Sequence, residues 1–162
     1  MVTAQVSREY PLYQPANGWA EQDPEDWRNA VFSAVRELME RSQAEPEQVM
    51  GIGFSGQMHG LVMLDENGKP IRRSIIWCDQ RSAAQTQEMC SLMPEEKWLE
   101  ITANPPIAAW TAAKILWMRK EEPENWEKVP THSAAQGLYT LLSHWSFCKR
   151  TCPTRRECSC SM

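Results

Sequence analysis

The chain has 162 residues, a net charge of −4 and a pI near 5.4, which suit one domain with a real core and exclude the basic face of a nucleic-acid binder. No stretch approaches the length of a membrane span, and the first residues lack the charged, apolar and small-residue order of a signal peptide. A soluble cytoplasmic protein is expected, with no nucleic-acid or membrane partner.

Val2–Tyr10 alternates as a strand does, with Val2, Ala4 and Val6 on one face, and such a strand needs a partner from elsewhere. Pro11–Gln22 reads as a loop from its prolines and Gly18. Asp23-Pro24-Glu25-Asp26 then starts a helix: an Asp cap, a proline whose missing N–H costs nothing in the first turn, and acids at the positive end of the dipole. The helix runs to about Ser42, and its stripe Trp27, Val31, Val35, Leu38 and Met39 is expected in the core. Ala44-Glu45-Pro46 ends it.

Two apolar runs follow, Met50–Phe54 and Leu61–Leu64, joined by the polar tip Ser55-Gly56-Gln57-Met58-His59-Gly60. Both runs are expected as strands. Asp65-Glu66-Asn67-Gly68 predicts a hairpin turn, because Asn-Gly accepts the positive φ angles it needs. Ser74–Trp77 is a third strand and ends in Cys78-Asp79-Gln80-Arg81. Four helical stretches complete the pattern: Arg81–Met93 on the surface, Pro94–Ile101 with Trp98 and Leu99 inward, Thr111–Lys120, and a last turn at Pro123–Val129. Strands followed by helices predict an α/β or α+β domain.

Two strand ends therefore present Gln57, Met58, His59, Trp77 and Asp79. Glycines on both sides of the tip let backbone approach a ligand, and the amide and imidazole offer the hydrogen bonds a polyol needs. An indole gives a flat wall for the C–H face of a sugar, and a carboxylate can hold hydroxyls. A hairpin also needs glycines, and a Trp closing a strand is often plain core, so the local residues leave both readings open. There is no glycine-rich phosphate loop, no metal-spaced set of carboxylates and no Ser/His/Asp set.

Three phrases, EYPLYQPANGWAEQDPEDW, GFSGQMHGLVMLDENGKPIRRSIIWCDQRS and ITANPPIAAWTAAKILWMRKEEPENW, resemble the N-terminal domain of the FGGY carbohydrate kinases, in particular the members that phosphorylate D-xylulose. The resemblance spans Val2 to Val129 and is most specific at Gln57-Met58-His59-Gly60. It implies a partial ribonuclease H-like, actin-like ATPase domain, ATP and Mg as cofactors, and transfer of the γ-phosphoryl group to a small-molecule ketose. On this likeness Met58 and His59 contact the ketose, Gln57 supports them, and Trp77 and Asp79 line the pocket. The family's Asp-x-Gly-Thr-Ser phosphate hairpin and its catalytic aspartate match no residue of this chain, so a truncated and inactive fragment without its own nucleotide site is expected. Cys78 stands where the family usually has Asn, and Ala113 where it has Pro.

Residues 1–129 are thus expected as the partial kinase domain and 130–162 as a disordered tail. Four of the six cysteines, Cys148, Cys152, Cys158 and Cys160, crowd that tail without a Cys-x-x-Cys pair. Permitted codons for Thr131–Trp145, read one base later, yield a family-like phrase, so out-of-frame translation is expected there. The competing expectation is a non-catalytic sugar-binding or interaction module whose Cys-rich tail holds a metal.

Overall fold

The computed structural model describes residues 2–130, and the expectations for the Cys-rich tail lie outside these residues. The order is β1 (Glu21–Gln22), α1 (Pro24–Ser42), a 3-10 turn (Pro46–Gln48), β2 (Ser74–Ile75), α2 (Ala83–Leu92), α3 (Glu95–Thr102), α4 (Thr111–Glu121) and α5 (Pro123–Trp126). β1 and β2 pair antiparallel, Glu21 opposite Ile75 and Gln22 opposite Ser74. Single bridges extend this ladder on both sides: Tyr13 to Glu21, Leu61 to Ile75, and Leu64 to Pro70.

Alternation along these short strands makes two cores, one on each face of the ladder. Val62, Leu64, Ile76 and Ala20 face α1 and bury Trp27, while Leu61, Met63 and Ile75 face α4 and bury Trp117 and Met118. All four residues from Leu61 to Leu64 are buried, as expected where both faces of a sheet are covered. The Asn67-Gly68 turn forms as predicted. Gly68 takes φ 75°, and Asp65 Oδ1 accepts the N–H groups of Asn67 and Lys69 at 2.8 and 2.9 Å.

The start of α1 also follows its sequence signals, for Asp23 Oδ1 accepts the Glu25 N–H at 2.9 Å and Pro24 opens the first turn. Asp23→Ala should cost about 1 kcal/mol of stability, the usual worth of such a cap. Urea unfolding followed by tryptophan fluorescence checks this, and an unchanged midpoint would remove the cap as a contributor.

Several expected elements differ. Val2–Tyr10 joins no ladder, and Arg8 fastens it instead to α1 through Ser33 Oγ at 3.2 Å and the Glu37 carboxylate. Pro11–Gln22 is not wholly loop, since Tyr13 and Glu21 exchange N–H···O bonds of 2.9 and 2.8 Å and Glu21 then enters β1. Met50–Phe54 forms no strand and is exposed, because no neighbouring backbone among the described residues offers it a ladder. The apolar stripe of α1 is only partly core: Trp27 is buried, but Val35 is exposed. In α3, Leu99 is exposed rather than inward. Among the described residues, no helix is long and apolar enough to cross a membrane.

A buried ionic cluster ties β1, the turn after β2 and the helices together. Arg81, 1% exposed, lies 3.8 Å from the Trp19 ring and 5.0 Å from the Trp117 ring. It pairs with Glu21 at 2.7 Å and with Asp79 at 2.8 Å, and Arg72 bridges Glu21 to Glu122. Planar guanidinium suits this role, since it stacks on indoles while its edge meets carboxylates.

Candidate functional site

The tip Ser55–Gly60 stands at the rim of the ladder, where the chain enters Leu61 and its bond to Ile75. β2 points toward the same rim and turns at Ile76–Asp79, leaving Trp77 half exposed. Between them opens a concavity of about 350 Å³ lined by Gly56, Gln57, Met58, His59 and Trp77. Four residues singled out from the sequence are thus together: Gln57, Met58, His59 and Trp77.

The fifth, Asp79, lies elsewhere. It is fully buried, and its carboxylate accepts the Ala20 N–H at 2.6 Å and the Arg81 backbone N–H at 2.9 Å, besides the guanidinium. Every oxygen is therefore directed inward to the protein, behind the wall that Trp77 presents.

Two of the lining side chains, Gln57 and His59, have supports from residues distant in the chain. Gln57 Nε2 donates to Gln22 Oε1 at 2.7 Å, and the same oxygen accepts Trp27 Nε1 at 3.1 Å, so a buried indole orients the amide that orients Gln57. His59 has φ 64°, a left-handed conformation that histidine tolerates better than β-branched residues do, and its ring stacks on Trp110 with centroids 5.5 Å apart and planes 5° apart. Lys114 is fully buried in α4, and its Nζ donates to the His59 carbonyl at 2.8 Å and to the Ala109 carbonyl. A signal for it existed: Lys114 falls on the inward face of α4 with Trp117 and Met118, at i, i+3 and i+4, where a cation has no reason to be without a partner.

Burial pushes the Lys114 ammonium down from 10.5 to about 8, with the charge of Asp79 opposing that fall. Between about 8 and 10.5 the unfolded chain holds a proton on this lysine that the folded chain has lost, so stability should rise with pH across that window. The cost of burying the charged form is fully present below it. Thermal midpoints at several pH values should show this rise in the wild-type chain and lose it in Lys114→Met. Equal slopes would exclude Lys114 as the source.

An amide, an imidazole, a thioether and an indole around one open concavity make a surface for hydroxyl groups and C–H faces. None of them is activated as a nucleophile. Among the described residues no three His, Cys, Asp or Glu side chains are placed to hold a metal ion, and no lysine or arginine lines the concavity to meet a polyphosphate. The lining of this concavity therefore does not fit magnesium or the polyphosphate of ATP.

Comparison with solved structures gives the class. Xylulose kinase from Rhodospirillum rubrum superposes with a TM-score of 0.79 at 28% identity, over 88% of this chain and 30% of that one. The fold is thus part of the actin-like ATPase domain of a sugar kinase. The sequence model of the FGGY family of carbohydrate kinases, N-terminal domain, matches residues 1–150, and the chain belongs to that family. Similar curated proteins are the xylulose kinases of Staphylococcus epidermidis, 38% identical over 79% of this chain and 25% of its own length, and of Lactococcus lactis, 42% identical over 76% and 24%. The chain spans about a quarter of the length of the relatives it matches.

Proposed function

We propose that this chain supplies the ketose-binding wall of an ATP-dependent, Mg-requiring D-xylulose kinase. The observation that carries the reading is the gathering of Gln57, Met58, His59 and Trp77 around one concavity, with the names of the similar proteins giving the sugar. Gln57 and His59 hydrogen-bond the sugar hydroxyls, Met58 and Trp77 cover its carbon face, and Asp79 acts behind the wall rather than on the ligand. Phosphoryl transfer needs positioned phosphates, a metal and a base, roles assigned to no described residue, so this reading expects sugar binding without turnover by the chain alone.

Titration of the 162-residue chain with D-xylulose, followed by tryptophan fluorescence, tests it. A saturable change is expected, with glycerol giving none at the same concentration. A flat response, or equal responses to both polyols, would overturn the reading.

A further inference from the structure

We infer that Lys114 is a positioning residue that fixes the His59 ring for the ligand by clamping the tip to the start of α4. The inference deepens the sugar-site reading and rests on it for the ligand, but the clamp itself is a property of the protein. Besides this clamp, the side-chain contacts among the described residues that hold the end of the tip are the Gln57–Gln22 bond and the His59–Trp110 stack. Residues 51–59 are exposed, and the first ladder bond after them is the one from the Leu61 N–H to the Ile75 carbonyl at 2.9 Å.

One buried amine meets two carbonyls, those of His59 and Ala109. The residue after Ala109 is Trp110, whose ring is the one stacked on His59. A single side chain thus sets the spacing of two backbone segments whose rings meet on the outer side. The choice of residue is informative. A methionine would fill nearly the same volume without the penalty of burying an amine, so the lysine is explained by the carbonyls it joins rather than by packing. Without the clamp, His59 would have to be ordered when the sugar arrives, and ordering a side chain and its loop at that moment weakens binding about three- to tenfold.

Two measurements on the full 162-residue chain test this, each for Lys114→Met against wild type, with thermal unfolding run on both to show that the variant is folded. The first needs no ligand. Stacking on Trp110 should shift the His59 ring protons upfield in the NMR spectrum, with the resonances assigned by their loss in His59→Ala. The Met variant should return them toward free-histidine positions, and an unchanged shift in a folded variant overturns the inference. The second is the D-xylulose affinity, expected to fall about tenfold at most in Lys114→Met. No further loss is expected when that change is added to His59→Ala; additive losses would mean that Lys114 acts other than through His59.

Absence of D-xylulose binding by wild type would sink the sugar reading and leave the ring shift to decide the clamp. If the Met variant does not fold, 15N relaxation of the wild-type chain decides. An order parameter at His59 near the rigid value of about 0.85 supports the clamp, and one below about 0.6 refutes it.

Discussion

Asp79→Ala should cost about 3–5 kcal/mol of folding stability, the range for removing one member of a buried ion pair. The carboxylate holds the Ala20 N–H at 2.6 Å and Arg81 through its backbone N–H, Nε and Nη2 at 2.9, 3.0 and 2.8 Å. Its loss orphans two backbone N–H groups, those of Ala20 and Arg81, and leaves Arg81, 1% exposed between two indoles, with Glu21 as its remaining carboxylate. Domains of this kind total about 5–15 kcal/mol, so the variant would be close to unfolded. Asp79→Asn keeps an oxygen for Ala20 and should lose less. Replacing both partners, Asp79→Leu with Arg81→Met, should recover the part of the loss due to the stranded guanidinium, since Glu21 keeps Arg72, but not the part due to the two orphaned backbone N–H groups. Urea midpoints for the three variants check the order. A cost for Asp79→Ala under about 1 kcal/mol would contradict a structural role for this carboxylate. Ketose affinity in folded Asp79→Asn should match wild type, and a clear loss would return Asp79 to the ligand.

His59→Ala should weaken ketose binding by about 10- to 100-fold, from the roughly 1–3 kcal/mol of a hydrogen bond withdrawn from a desolvated hydroxyl. Two effects mix in that substitution, because alanine at φ 64° is also strained. His59→Gly separates them: glycine accepts the angle, so the affinity loss should persist while the stability loss shrinks. Calorimetric titration with D-xylulose beside thermal unfolding reads both. Unchanged affinity in either variant would make the histidine a turn residue and nothing more.

Much of this site was legible because its residues are contiguous or close a strand. Gln57, Met58 and His59 share one turn and Trp77 closes the run that pairs with the chain just after that turn, so the end of one segment lies beside the end of the other at one rim. Asp79, expected in the pocket from the family likeness and its place after the same run, is instead buried against Arg81. Two residues past Trp77 it should share Trp77's side of an extended strand, but the chain turns at Ile76–Asp79, with the Asp79 N–H bonded to the Ile76 carbonyl at 3.2 Å, and the alternation is broken. Gln22, Trp110 and Lys114 reach the site from 35 to 55 positions away in the chain, beyond any local pattern.

By itself the sequence determined the Asp23 cap, the Asn67-Gly68 turn, the helices from α1 to α5 and the polar tip, all of which depend on groups a few residues apart. Only the tertiary structure decided which apolar runs became ladder. Leu61–Leu64 found backbone at Ile75 and Pro70 while Met50–Phe54 found none, although both have the composition of strands. The reason is that a helix satisfies its own hydrogen bonds, whereas a strand borrows them from distant chain, and so does a buried charge such as Lys114 or Arg81.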